Sequence, residues 1–190
     1  NVLRNLLMTD YFLSPNAHTS EIFAGSGYKM RGIYKGEIVE SGYPRIDFTK
    51  ETSSDNAKNL LKELRIDLDS NLPVVVYMPT WRGNDTQNPS DSIAQVIAEL
   101  KYLRKEFLGK YNIILKVHPY LFKKAKNCKE LNGILIDDAM DANLVLAATD
   151  ILITDFSSVF FDYLFTDKPI IFYAWDQDIY SEDRGMYLDM

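Results

Sequence analysis

Residues 72–78 read LPVVVYM, apolar almost without a break. A strand with one face in water alternates apolar and polar side chains, so an unbroken run of this kind marks a strand covered on both faces. Further strands are expected at YNIILKV (111–117), a weaker one at GILI (133–136), and at ILIT (151–154) and PIIFY (169–173). The segments between them carry helical spacing. Ala57, Leu60, Leu61 and Leu64 stand at i, i+3, i+4 and i+7 behind a cap at Ser53 or Ser54. Ile93, Val96, Ile97, Leu100 and Phe107 share one stripe, a short helix is expected over 141–148, and Phe156, Val159, Phe160, Tyr163 and Leu164 form the last. Strands alternating with helices of this length imply right-handed βαβ crossovers. The expected fold class is α/β, a doubly wound parallel sheet.

The first fifty residues read differently. A strand is expected near 10–13, a loop at 14–16, a helix over 19–26 and a strand at 38–41 that ends on the turn Gly42-Tyr43-Pro44. Such a piece is too small to bury a core of its own. Residues 1–50 are therefore expected to be the trailing part of a preceding domain, and residues 51–190 a second one.

Composition excludes several functions. The net charge is −6, and neutralising a phosphate backbone needs clustered Lys and Arg, so nucleic acid is not the expected partner. Cys128 is the only cysteine, which leaves no intrachain disulfide and no cysteine metal cluster, and points to a reducing compartment. No apolar stretch approaches the ~18 residues of a membrane-spanning helix. The chain begins at Asn1 without an initiator Met or signal sequence and stops on MYLDM, which reads as a piece of something longer. Lys116, Lys123, Lys124, Lys126 and Lys129 form a basic run on the acidic second part. It is either an ordinary solvated surface or a place where an anion approaches.

In a doubly wound sheet, ligands bind outside the carboxyl ends of the strands. That rule selects MPTWRG, VHPY, IDDAM and TDFSS. In the last, Asp155, Ser157 and Ser158 stand where a strand gives way to a helix, whose first N–H groups favour an anion. Asp155 or Ser157 could equally be a helix cap; the local residues leave the two readings about even, and the second serine, which capping does not need, leans towards a ligand. His118 follows a strand directly, which suits phosphate contact or proton transfer, whereas His18 reads as structural or incidental. Arg82 offers a fork for bidentate phosphate contact or is simply exposed, and Trp81 could belong to the core. Asp176, Asp178, Glu182 and Asp183 have no metal-ligand spacing and read as a solvated loop. No G-x-x-x-x-G-K-[ST], G-x-G-x-x-G or G-x-S-x-G occurs, which disfavours P-loop hydrolases, classical dinucleotide dehydrogenases and a serine-triad hydrolase.

Five segments taken in order, GYPRID (42–47), MPTWRG (78–83), KVHP (116–119), TDFSSVFFDYLFTDKPIIFY (154–173) and EDRGMYLDM (182–190), resemble the motifs of the CDP-glycerol glycerophosphotransferases, the GT-B-like teichoic-acid polymerases and primases of bacteria. The resemblance implies a two-domain enzyme with its active site between Rossmann-like halves, residues 51–190 being the nucleotide-binding half. The donor would be CDP-glycerol or a related CDP-alditol and the acceptor a polyol-phosphate polymer, with CMP released. It implies that Ser157 and Ser158 hold the diphosphate with Asp155 close by, that His118 contacts or neutralises the phosphates, and that Arg82 and Arg184 stabilise charge in transfer. Base recognition would lie near Asp137 and Asp138. No resident cofactor is implied, though a divalent cation could accompany the diphosphate. The setting would be the inner face of the plasma membrane, with membrane contact made by parts outside this chain. The family's W-H-G motif, whose histidine would be the base, is absent here, as are the helices after the R-G-x-Y segment, so this piece is expected to be inactive alone. The alternatives are a GT-B glycosyltransferase using a nucleotide sugar and a non-catalytic nucleotide-binding module.

Overall fold

The computed structural model describes residues 2–82 and 90–184. The chain divides into two compact units, Asn1–Phe48 and Thr49–Met190.

In the first unit, helix α1 (Val2–Leu7) precedes strand β1 (Tyr11–Ser14), helix α2 (Ala17–Ala24) and strand β2 (Glu37–Glu40). The two strands pair in parallel, from Tyr11 opposite Glu37 to Ser14 opposite Glu40. Asn16 caps α2 by accepting from the Thr19 N–H, and Phe23 anchors a ring cluster, stacked on Phe12 at 4.1 Å and edge-on to Tyr34 at 5.5 Å. Helix α3 (Pro44–Glu51) follows. Here GYPRID departs from expectation. Gly42 does turn the chain, at φ 77°, but Pro44 then opens a helix, because its fixed φ suits the first helical position, where no N–H is needed.

The second unit begins with helix α4 (Ser54–Glu63), capped by the Ser53 hydroxyl accepting from the Asn56 N–H. Its sheet runs β4 (Asn112–Leu115), β3 (Val74–Met78), β5 (Ile151–Thr154) and β6 (Ile170–Phe172) in spatial order, all parallel. Every residue of β3 is buried. Its pleat sends Val74, Val76 and Met78 to one face, where Ala57 and Leu61 of α4, Val145 and Leu146 of helix α7 (Ala142–Ala148) and Tyr163 of helix α8 (Val159–Tyr163) complete a core. Val75 and Tyr77 face the other side, with Val96 and Leu100 of helix α5 (Ser90–Glu106) and Leu121 and Ala125 of helix α6 (Pro119–Ala125). Helices on both faces are what the continuous apolar runs require, and the doubly wound parallel fold is as expected. The chain leaves β3 towards β4 and later returns to β5 on the opposite side of β3. The loops after β3 and β5 thus meet at the switch point of the sheet.

Four local expectations are corrected. Residues 133–136 make a single bridge, Leu115 to Leu135, rather than a strand. They leave a short 3₁₀ turn through Gly133 at φ 76°, where a Cβ would collide with the Asp67 carboxylate, so too few residues remain extended to build a ladder. The helix after the serines begins at Val159 and gives way to a 3₁₀ turn at Leu164, which puts Phe156 in the loop and leaves Leu164 exposed. Phe107 lies past the end of α5, 39% exposed, just before the left-handed Gly109. The acidic tail is not a solvated loop: Gln177–Arg184 form helix α9, and Asp176 before it is buried.

At the opposite end of the sheet from the switch-point loops, Asp150 ties three elements together. Its carboxylate accepts from Lys58 Nζ at 2.8 Å, from the Val74 N–H at 2.9 Å and from Lys168 Nζ at 3.4 Å. Burial works to raise its pKa, but the bonds from Lys58 and Val74 and the charges of both lysines outweigh it and hold it below the ordinary aspartate value. Ionised Asp150 therefore contributes stability above its unfolded-state pKa, and that contribution is lost as pH falls through the lower folded-state value. Asp150→Asn should cost about 1–2 kcal/mol near neutrality, the pair being only partly buried. Urea melts across pH should show this gap between variant and parent closing in acid.

Candidate functional site

The strand-end loops enclose a cleft of about 520 Å³, lined by Pro79–Trp81 after β3, Lys116–Pro119 after β4, Asp138 and Met140 before α7, and Phe156–Ser158 after β5. Sequence reasoning singled out His118, Asp138, Ser157 and Ser158, and the fold brings these four together. Asp137 instead borders a neighbouring cleft of about 370 Å³, and its Oδ1 accepts from the Ala139 N–H at 2.9 Å. Arg184 ends α9, and its side chain lies outside the described residues, as does all of residues 185–190.

His118 is held by its own helix. It caps α6, with Nδ1 accepting from the Tyr120 N–H at 3.3 Å, so a neutral ring carries its proton on Nε2. Pro119 at the first helical position fits this start. Trp81 packs edge-on to Tyr120 at 5.5 Å, and the Tyr120 ring lies 4.7 Å from that of His118, so Trp81 forms part of the cleft wall with the histidine.

The serine pair divides its work. Ser157 Oγ accepts from the Val159 N–H at 3.3 Å, a local capping bond, while Ser158 makes no side-chain cap bond and stands exposed at the cleft. Asp155 does not cap the helix. It is 2% exposed, accepts from the Thr80 N–H at 2.8 Å through Oδ1, and pairs through Oδ2 with Arg82 Nη1 at 2.8 Å.

Arg82 is fully engaged inside the protein. Nε and Nη2 form a fork on Asp176, at 2.6 and 2.9 Å, and Nη1 also donates to the Thr80 carbonyl at 2.8 Å. Burial alone would lower its pKa, but bonds to Asp176 and the charge of Asp155 outweigh this and raise it, so the guanidinium stays charged. Neither Arg82 nor Asp155 lines the 520 Å³ cleft; both border a narrow crevice beside Tyr77 and Glu99 on its far side.

Among the described residues, Lys116 is a cation that does reach the cleft; sequence reasoning noted it in the basic run and in the KVHP segment without giving it a role. Its Nζ donates to the carbonyls of Asp137 at 3.1 Å and Met140 at 2.9 Å. Burial lowers its pKa more than nearby Asp138, Asp137 and Asp141 raise it. Of the rest of that run, Lys123 and Lys124 sit in the last turn of α6 and Lys126 borders the 370 Å³ cleft. The available signal was position: Lys116 directly follows β4, two residues before His118. Asp162 of α8 adds a second carboxylate to the lining, which no sequence pattern indicated. Among the described residues, no group of three or more His, Cys, Asp and Glu could hold a metal ion, and no helix is long and apolar enough to cross a membrane.

The described residues thus define a doubly wound α/β protein with a cleft, lined by a lysine, a histidine and serine hydroxyls, at its switch point. A family profile described as CDP-Glycerol:Poly(glycerophosphate) glycerophosphotransferase matches residues 1–190, and the chain belongs to that family. It is 34% identical over its whole length to a teichoic acid poly(glycerol phosphate) polymerase of Bacillus spizizenii, of which it spans 47%. A histidine-to-alanine variant of the solved wall teichoic acid polymerase TagF superposes on 98% of this chain and 44% of its own, with a TM-score of 0.74 at 31% identity. A histidine-to-asparagine variant of TagF soaked with CDPG gives a TM-score of 0.70 at 33% identity, over 98% of this chain and 43% of its own. The chain therefore spans about half the length of these relatives, and the resemblance drawn from five segments extends over all of it.

Lys116→Met removes two bonds from a charged donor, each worth about 1.5 kcal/mol or more. Amide exchange at residues 138–140 should then rise at least about tenfold, while that of β3 stays unchanged.

Proposed function

We propose that this chain is the donor-binding part of an enzyme that transfers glycerol phosphate from CDP-glycerol to the hydroxyl end of a teichoic-acid-type polymer or primer, releasing CMP. The observation that carries the reading is the convergence of Lys116, His118, Ser157 and Ser158 on one cleft, in a chain of this family. In this reading, residues 1–50 close the first Rossmann-like half and residues 51–190 hold the nucleotide.

The chemistry asks for little beyond positioning and charge. The acceptor oxygen bonds to the glycerol-bearing phosphorus, the bond from that phosphorus to the bridging oxygen breaks, and CMP leaves with the electron pair. The hydroxyl proton passes to a base supplied by the family's W-H-G segment, outside these residues. Lys116 offsets the diphosphate charge. His118 donates from Nε2 to a phosphate oxygen, the tautomer that its bond to the Tyr120 N–H favours. The Ser158 hydroxyl donates to the diphosphate, and Ser157 can do so while still accepting from Val159. Arg82 and Asp155, turned to each other, are assigned to holding the loops rather than touching the donor. The enzyme works at the inner face of the plasma membrane, with membrane contact made by parts outside this chain.

At a concentration about a hundred times Kd, CDP-glycerol should raise the melting temperature by about 5 °C or more. UDP- and GDP-sugars should not. A folded sample that ignores CDP-glycerol and CMP, or answers best to a nucleotide sugar, would sink the proposal. In the full-length enzyme His118→Ala should lower turnover by about 10²–10³-fold, as loss of a transition-state donor does.

A further inference from the structure

The segment Phe156–Ser158 has two sides. One lines the cleft; the other rests on a cluster that does not touch it. Phe156 stacks on Tyr180 of α9, with ring centroids 4.0 Å apart and planes within 13°. The Arg82 guanidinium carbon lies 5.3 Å from the Phe156 centroid and 5.4 Å from that of Tyr180. The same arginine grips Asp155, one residue before the segment, and Asp176, one residue before α9, which is 7% exposed. Three strand ends, after β3, β5 and β6, thus converge on one side chain.

On its C-terminal side the segment continues into α8, which Val159 and Tyr163 anchor in the core. Helix α8 has five residues, Ser158 provides no side-chain cap, and Ser157 makes one long bond to Val159. Helix α8 thus fixes where the segment ends, while the ring contacts on Phe156 come from the other side.

We propose that Asp176 and Tyr180 are positioning residues for donor binding: through Arg82 and Phe156 they hold the Phe156–Ser158 segment in the conformation that meets the donor diphosphate. This rests on the reading of the cleft as the CDP-glycerol site. Neither residue lines the cleft, so neither acts on the donor directly. By reciprocity, donor bound at the serines must in turn stabilise the docking of α9.

The test uses Asp176→Asn and Tyr180→Leu, singly and combined, with Tyr180→Phe as the conservative variant that keeps the ring. Hydrogen exchange of residues 154–160 is read without ligand, and CDP-glycerol affinity by calorimetry. Each single variant should speed exchange in 154–160 about tenfold, leave the amides of β3 protected, and weaken binding about tenfold. The double variant should bind no more weakly than the weaker single one, because both act through one unit. Tyr180→Phe, which keeps the ring on Phe156, should stay closer to the parent than Tyr180→Leu does. Unchanged exchange at 154–160, additive losses, or faster exchange with undiminished affinity would each overturn the proposal. If the variants do not fold, the parent decides: bound CDP-glycerol should slow exchange in residues 177–184, and binding without that protection would count against the coupling. Should the parent fail to bind CDP-glycerol at all, the functional reading falls, while exchange in Tyr180→Leu against Tyr180→Phe still decides whether α9 holds the loop.

Discussion

Burial of β3 on both faces is the constraint on which the rest of this unit depends. With all of Val74–Met78 enclosed, the polar atom its side chains do carry, the Tyr77 hydroxyl, has to donate to Glu99, and helices must cover both sides of the sheet. Polar chemistry is thereby displaced to where strands stop. At one end Asp150 collects two lysines and a backbone N–H; at the other, the loops after β3, β4 and β5 crowd together at the switch point. The cleft is a by-product of how a parallel sheet hides its middle.

Much of this was legible in the sequence, and the reason is local. The apolar runs at 72–78, 111–117 and 151–154 could only be strands covered on both faces, and the spacing of Ala57, Leu61 and Leu64 had a serine cap before it. The strand-end rule then placed His118, Ser157 and Ser158 on one rim without any contact being known. What failed depended on details that periodicity does not encode. One is the left-handed Gly133 pressed against Asp67, which leaves residues 133–136 with a single bridge. Another is the late start of α8, which frees Phe156 to stack on a ring more than twenty residues away.

Charged residues were the hardest to place, because pattern says where a side chain starts and not which way it turns. Arg82 read as a phosphate ligand or an exposed side chain, and Asp155 as a helix cap or a residue close to the diphosphate. Each accounts for the other: the carboxylate faces away from the cleft onto the guanidinium, which closes its fork on Asp176. Meanwhile Lys116, one cation among several along the chain, reaches the cleft because it directly follows β4. An aspartate beside a proposed diphosphate site brings no repulsion when its charge is already answered from behind.

That internal pairing has an evolutionary side. Arg82, Asp155 and Asp176 share one set of hydrogen bonds, so replacing Arg82 leaves two buried carboxylates without their cation. The arginine is the member on which the other two depend. Ser158, exposed at the rim of the cleft and bound to nothing through a side-chain cap, is under no such constraint. A lineage changing its substrate could therefore vary the cleft one residue at a time so long as Arg82 stays in place beneath it.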